Sequence, residues 1–159
     1  MKTILYIGVS YFEYEKKIKK LIEDELGYKV IYLDVGKYKY NYSNYFERIW
    51  SNLYYKKFKK ESLKNIKLSN LLIEEVKKIK KEYDIIFYVR PHGEVKRFVE
   101  FLSTLNKEMI CHQWDTISSL KGIEKKLYLF NKKSTFDPID AKEYKMKFLP
   151  NFLYRNKCR

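Results

Sequence analysis

The alternation of short apolar runs with amphipathic stretches constrains the fold of this chain more than any other feature. Continuous runs rich in β-branched residues are typical of strands that are covered on both faces. Such runs predict strands at residues 3–9, 28–34, 84–89 and 108–114, and two shorter strands are predicted at 134–136 and 147–149. The intervening helical patterns imply parallel pairing through right-handed crossovers. We therefore predict an α/β fold of the Rossmann-like type, a doubly wound, mostly parallel sheet of five or six strands with helices on both faces.

The 159 residues are predicted to form a single Rossmann-like domain, since this length suits one hydrophobic core. Residues 37–60 depart from the minimal pattern as a basic and aromatic helical excursion. Asn44 is predicted to cap a helix there, with Glu47 as its capping-box partner. The apolar stripe of this helix either packs on the domain or forms an interface. Its members are Tyr45, Phe46, Ile49, Trp50, Leu53 and Tyr54.

The net charge of +14 is the strongest compositional signal. Residues 37–81 contain 13 Lys and Arg against four Glu, so this part alone carries +9. Such a surface attracts nucleic acid, anionic lipid headgroups or phosphorylated substrates. The alternative explanation is compositional, because Lys, Tyr, Ile and Asn are all abundant, as they are in proteins encoded by AT-rich genomes.

Several classes of protein and site find no support in the sequence. No apolar run approaches the roughly 20 residues of a membrane span, and the N-terminus lacks a signal-peptide cleavage site. We therefore expect a cytoplasmic protein, with peripheral attachment to the inner face of the membrane as a further expectation. No GxGxxG or GxxxxGK[ST] motif occurs, and the His and Cys residues have no metal-ligand spacing. We expect no cofactor and no metal.

Candidate site residues follow the predicted strands, because ligands of open parallel sheets bind at the carboxyl ends of the strands. Gly8 lets a ligand approach the backbone, while Ser10 either contacts a ligand or caps the first helix. After the third strand, Arg90 suits a phosphate or carboxylate, and His92 suits acid–base chemistry. With Gly93, these residues form either a site or an ordinary turn with exposed polar side chains.

The fourth strand is followed by Trp114 and Asp115, and the fifth by Asp137. An indole stacks on sugar rings or bases, and a carboxylate accepts hydrogen bonds from hydroxyl groups. In the alternative interpretation, Trp114 packs on the following helix, and Asp115 caps it through the amides of Ile117 or Ser118.

Four stretches, "ILYIG", "DIIFYVRPHGE", "CHQWDTISS" and "STFDPIDAKEYKMKFLPNFLY", together resemble one family. They are similar to the N-terminal Rossmann-like domain of bacterial GT-B glycosyltransferases of the spore-maturation and the capsule or lipopolysaccharide biosynthesis type. The residues that carry the resemblance are Trp114, Asp115, Thr116, Phe136, Asp137, Asp140, Phe148, Leu149 and Pro150. The chain departs from the family at Arg90-Pro91-His92, where a plainer turn is usual, and a second domain would follow at about Arg159.

The resemblance implies the acceptor-side domain of a glycosyltransferase that transfers a sugar from a nucleotide sugar in surface polysaccharide synthesis. His92 or Asp115 would be the catalytic base, Arg90 would hold a phosphate, and Trp114 would stack on a sugar. The remaining substrate-binding residues would be Gly8, Ser10, Gly93 and Asp137. The acceptor would be a sugar or a lipid-linked group, and the nucleotide sugar would bind a missing second domain or subunit.

Two other function classes fit the same sequence. A basic nucleic-acid-binding module would use residues 37–81 for phosphate contacts and their tyrosines for base stacking. No RNP-like, helix-turn-helix or zinc signature supports this hypothesis. A non-catalytic, flavodoxin-like binding or scaffold domain is the other class, and a homodimer through the aromatic helix would favour it.

Overall fold

The strands lie close to their predicted positions. The computed structural model describes residues 1–11, 13–58, 62–79, 83–91, 96–105, 107–120 and 122–150. The strands are β1 Thr3–Gly8, β2 Lys29–Asp34, β3 Ile85–Val89, β4 Glu108–Gln113, β5 Lys132–Thr135 and β6 Lys147–Phe148. They form one sheet in the order β2-β1-β3-β4-β5-β6, and all neighbouring strands are parallel.

The α-helices of the described ranges occupy the intervals between the strands. They are α1 Tyr14–Leu26, α2 Tyr45–Phe58, α3 Leu63–Lys78, α4 Lys96–Ser103 and α5 Pro138–Glu143. Short 3-10 segments lie at Val35–Lys37, Ile117–Ser119 and Glu124–Leu129. In this part of the chain, no helix is both long and apolar enough to cross a membrane.

The direction in which strands are added reverses once in the sheet. β2 lies on one side of β1, whereas β3 and all later strands lie on the other side. The switch point is therefore between the carboxyl ends of β1 and β3, as in flavodoxin-like folds. The predicted doubly wound parallel sheet is confirmed, and the switch point identifies the edge where its loops diverge.

Both faces of the sheet are covered, which explains the continuous apolar runs. Leu5 and Ile7 of β1 belong to a large core cluster, and Ile4 and Tyr6 belong to a smaller one. The larger cluster is completed by side chains of α3 and α4, including Leu72, Val76, Phe98, Val99 and Leu102. The smaller cluster is closed by α1 through Ile22. Alternating side chains of one strand therefore anchor helices on opposite faces.

The third helix is shorter than its sequence pattern predicts. Leu72, Val76, Ile79 and Tyr83 recur at helical spacing and predict a helix that runs to about Tyr83. α3 ends at Lys78, and the amide of Ile79 donates to the carbonyls of Glu75 and Val76. Tyr83 is instead buried in the larger core cluster, just before Asp84 donates its amide to the Thr3 carbonyl. The helical spacing of Tyr83 is therefore incidental, because this residue serves the entry into β3.

Candidate functional site

The loops after β3 and β4 are joined at the switch-point edge of the sheet. The Nε of Arg90 donates a hydrogen bond to the Asp115 carboxylate and forms an ion pair with it. The Nη1 of Arg90 donates to the Tyr11 hydroxyl at 3.1 Å, and its guanidinium lies 5.5 Å from the centre of the Tyr11 ring. The edge therefore brings together side chains from three loops, those after β1, β3 and β4.

The backbone fixes Arg90 in an uncommon conformation. Its φ is 56°, in the left-handed region that non-glycine residues rarely adopt. The Arg90 amide donates to the His112 carbonyl at 2.8 Å. Next to it, the Gln113 side-chain amide donates to the Pro91 carbonyl at 3.3 Å. The end of β3 is thus tied to β4. These contacts hold the Arg90 backbone in a conformation that it would rarely adopt by itself.

Trp114 and Asp115 do not have the structural roles that the sequence suggested as alternatives. Trp114 is half-buried on the smaller core cluster, and its ring lies edge-on to Tyr14 of α1 at 6.0 Å. The amide of Ile117 is bonded at 2.7 Å to Asp140 and not to Asp115. The prediction that Asp115 caps the segment after it is therefore wrong, because the Asp140 carboxylate of α5 accepts the Ile117 amide instead.

In the loop that connects β1 to α1, Ser10 is hydrogen-bonded to two carboxylates, those of Glu15 and Asp34. The Ser10 hydroxyl donates to Glu15 at 2.7 Å, and the Ser10 amide donates to Asp34 at 3.3 Å. The same Asp34 oxygen accepts the Gly36 amide at 3.0 Å. Ser10 does not cap α1: the residue before the helix is Glu13, which is left-handed and makes no side-chain cap.

Glu15 gives this loop a negative charge that disfavours anionic ligands. Its side chain is buried, and one of its oxygens has no hydrogen-bond partner among the described residues. Burial and, secondarily, the Glu15 charge raise the pKa of the nearby Tyr6 hydroxyl. A phosphate at this loop would meet the carboxylates of Glu15 and Asp34, with the Ser10 amide already bonded. Among the described residues of this loop, the two carboxylates therefore disfavour the phosphate of a flavin or nucleotide cofactor.

Two further predicted site residues, Gly8 and Asp137, lie at the end of β1 and at the beginning of α5. Gly8 is the last residue of β1, and its carbonyl accepts the Tyr32 hydroxyl at 3.4 Å. Asp137 caps α5 by accepting the amides of Ile139 and Asp140 at 2.7 and 3.2 Å. His92 and Gly93 lie outside the described residues. Within the described ranges, no group of three or more potential ligands could hold a metal ion.

Sequence reasoning did not identify four residues of this edge. They are Tyr11, Tyr14, Glu15 and Gln113. Their only sequence signal is that the first three follow β1 and the last one ends β4, next to the residues that were identified. Their contacts bridge separate loops, so chain order gives little guidance to them.

A second candidate site is the outer face of α2, which is inverted relative to an ordinary surface helix. Its inward side carries Ser51, 1% exposed, and the half-buried Glu47. Its outward side carries large apolar side chains, with Phe46 at 79% and Trp50 at 68% exposure. We call this outward side the aromatic face, and its members are Tyr45, Phe46, Ile49, Trp50 and Leu53.

Polar contacts hold α2 in this orientation. The Glu47 carboxylate accepts hydrogen bonds from Lys67 of α3 at 2.8 Å, from the Tyr40 hydroxyl and from the Ser43 amide. These hydrogen bonds lower the pKa of Glu47 to about 2, and the one from Lys67 has the largest effect on it. The predicted Asn44 cap is confirmed, since Asn44 accepts the Glu47 amide at 2.8 Å. The expected capping box is not formed, because the Glu47 carboxylate accepts the amide of Ser43 and not that of Asn44. Rolling the apolar side inward would break all of the contacts of Glu47.

Comparison with known proteins gives few matches. No protein-family profile and no curated protein matches the chain. Among solved structures, the azoreductase AzrA is similar, with a TM-score of 0.44 and 11% identity over 89% of this chain and 92% of that one. An azoreductase from Bacillus anthracis strain Sterne has a TM-score of 0.39 and 12% identity, over 91% and 93%. At this similarity the likeness concerns the fold alone and assigns no activity.

The interpretation as the acceptor-side domain of a GT-B glycosyltransferase is wrong. The solved structures that match are azoreductases, and no glycosyltransferase profile or curated protein matches. The expected role in polysaccharide or lipopolysaccharide biosynthesis is therefore wrong as well. The motifs that suggested the family are short and stand at strand ends, where any parallel α/β sheet places polar and aromatic residues.

Proposed function

We propose that this chain is a flavodoxin-like binding domain that attaches peripherally to anionic membranes through the aromatic face of α2. The observation that supports this proposal is the orientation of α2, which turns Ser51 and Glu47 toward the domain and exposes its large apolar side chains. A surface helix of a globular domain ordinarily does the opposite, because apolar burial stabilises the fold.

The composition of the aromatic face suits the interfacial region of a bilayer. It combines Trp, Tyr and Phe with the aliphatic Ile49 and Leu53 on one exposed side of one helix. Amphipathic helices that lie in the membrane interface have this combination, together with Lys and Arg nearby. Large exposed apolar patches on soluble domains mark sites of interaction.

Charge favours an anionic surface over a second copy of the chain. Residues 37–81 carry a net charge of +9, and the whole chain carries +14. A symmetric dimer through α2 would bring two such segments together, with like charges adjacent. An anionic bilayer instead attracts each nearby Lys or Arg by about 1 kcal/mol. Nucleic acid is less suitable, because Ile49 and Leu53 in the face cannot stack on bases.

Vesicle cosedimentation tests the proposal. We expect the protein to bind vesicles that contain phosphatidylglycerol and not vesicles of phosphatidylcholine alone, with binding that weakens as salt increases. The variant Phe46→Ser/Trp50→Ser should weaken binding at least about tenfold, since each buried large apolar side chain contributes about 1.5–3 kcal/mol. The matched control, Leu71→Ser/Tyr128→Ser, changes two other exposed apolar residues and should bind like the unmodified protein.

Three outcomes would overturn the proposal. The first is equal binding by the Phe46/Trp50 variant and the control. The second is a dimer in light scattering that only the Phe46/Trp50 variant dissociates, which would assign the aromatic face to a second copy. The third is tight, salt-dependent binding of single-stranded RNA in the absence of vesicle binding.

A further inference from the structure

Two open cavities adjoin at the beginning of α2, beside the aromatic face. One has a volume of about 600 Å³ and is lined by Phe46, Ile49 and Trp50 among others. The second has a volume of about 470 Å³ and is lined by polar and cationic side chains. Asn44 lines both cavities. An apolar cavity and a cationic cavity therefore lie next to each other at the proposed membrane surface.

The second cavity contains two cations, Arg48 and Lys64. None of the described residues that line it is acidic. Among the described residues, neither cation forms an ion pair, whereas the nearby Lys67 is bonded to Glu47. Two uncompensated cations in one cavity favour an anion, and the arginine fork suits phosphate oxygens in particular.

The remaining lining residues indicate what the anion carries. Asn41, the Nδ2 of Asn44 and the Tyr45 hydroxyl face this cavity, whereas Tyr40 and Tyr42, whose hydroxyls are bonded to Glu47 and Ser51, contribute ring faces. Amides and hydroxyls both donate and accept hydrogen bonds, so they suit hydroxyl groups. An ammonium group would be repelled by Arg48 and Lys64. The suitable ligand is therefore a phosphodiester that bears a polyol and no amine.

Resting on the proposed membrane attachment, we infer that this cavity binds the headgroup of a phospholipid whose phosphodiester carries glycerol or inositol. Arg48 and Lys64 bind the phosphate, and the asparagine amides bind the polyol. The acyl chains then leave the cavity beside Phe46 and Trp50. General electrostatic attraction to a negative bilayer would not require these contacts.

Two lipids of equal charge separate this inference from simple electrostatics. Vesicles with equal fractions of phosphatidylglycerol or phosphatidylserine both carry one negative charge per anionic lipid, but only the latter has an amine. We expect the protein to bind the phosphatidylglycerol vesicles roughly tenfold more tightly, because charge-assisted hydrogen bonds depend on the headgroup. The variant Arg48→Gln/Lys64→Gln should lose this ratio.

The control Lys142→Gln/Lys147→Gln removes the same charge from α5 and β6, and it should weaken binding to both lipids equally while the ratio is retained. Circular dichroism verifies that both variants are folded. Equal binding of the two lipids by the unmodified protein would overturn the headgroup site and leave membrane attachment intact. Loss of the ratio in the control as well would also overturn it. Absence of binding to either lipid would overturn the proposed function itself.

Discussion

Arg90 and Asp115 form an ion pair that connects the loops after β3 and β4, 25 residues apart in the chain. The pair lies at the switch-point edge and is partly exposed to solvent. It holds Arg90 in a left-handed conformation, and the Tyr11 hydroxyl completes the contacts of the guanidinium. Two loops that the sequence marked as separate candidates are thus one structural unit.

The conformation of Arg90 predicts an unusual order of stability. Arg90→Ala and Arg90→Gly both lose the ion pair, but only glycine adopts a φ of 56° without strain. We expect Arg90→Gly to be the more stable of the two by about 1 kcal/mol in urea unfolding. At Lys142, within α5, the order should reverse, because glycine weakens a helix. Equal stability of the two Arg90 variants would contradict the assignment.

Glu15 predicts a stabilising substitution. Its carboxylate is buried, and one oxygen has no partner among the described residues, so Glu15→Gln removes a poorly solvated charge. The amide oxygen can still accept the Ser10 hydroxyl. We expect the urea midpoint to increase, by about 1 kcal/mol in the free energy of unfolding. The exposed Glu25→Gln in the same helix should leave the urea midpoint unchanged. A lower midpoint for Glu15→Gln would refute the prediction.

His112 predicts a pH dependence of stability. It is buried, and the Ser134 hydroxyl donates to the Cys111 carbonyl, so the Nδ1–H of His112 donates to Ser134 at 2.9 Å. Burial lowers the pKa of His112 below the value of about 6.5 of an unfolded chain. The stabilisation is therefore complete above pH 6.5 and decreases as the pH falls through the lower, folded value.

Urea unfolding at pH 7.5 and 5.5 measures this contribution. His112→Asn retains a donor toward Ser134 but cannot titrate in this range. We expect the unmodified protein to lose more stability than this variant between the two pH values. An equal loss would show that other groups cause the pH dependence.

The ion pair between Lys67 and Glu47 predicts local mobility of α2. Lys67→Met leaves the inward carboxylate of Glu47 without its cation, so hydrogen exchange of residues 45–58 should accelerate, while that of β1 and β3 stays unchanged. Lys64→Met is the control, since Lys64 has no acidic partner among the described residues. Acceleration by both variants alike would mean that the pair does not hold the helix.

Local pattern was sufficient for the sheet. The apolar runs became β1 to β4, where burial on both faces favours continuous apolar residues, whereas β5 and β6 are short and more polar. Gly27 ends α1 in the left-handed conformation expected of a helix terminator. Contacts between loops were not predictable, since Asp140 reaches the Ile117 amide across 23 residues of chain. Such pairings depend on the path of the loops, which periodicity does not encode.

The stripe on α2 shows a different limit. Its periodicity was correct, and Asn44 caps the helix as predicted. Periodicity reveals which side of a helix is apolar, but not whether that side faces the domain. That choice depends on Lys67, which lies 20 residues after Glu47 and neutralises it from α3.

The connection from β2 to β3 must pass over β1, because β1 lies between these two strands in the sheet. α3 belongs to this connection and packs on α4. α2 is thus extra length within an obligatory crossover, outside the hydrogen-bonded ladder. Homologues could shorten, exchange or redecorate this insert while every strand keeps its register. Natural variation should therefore concentrate in the insert, and a transplant of it into another parallel α/β protein would need α3 as well, because Lys67 holds Glu47 from that helix.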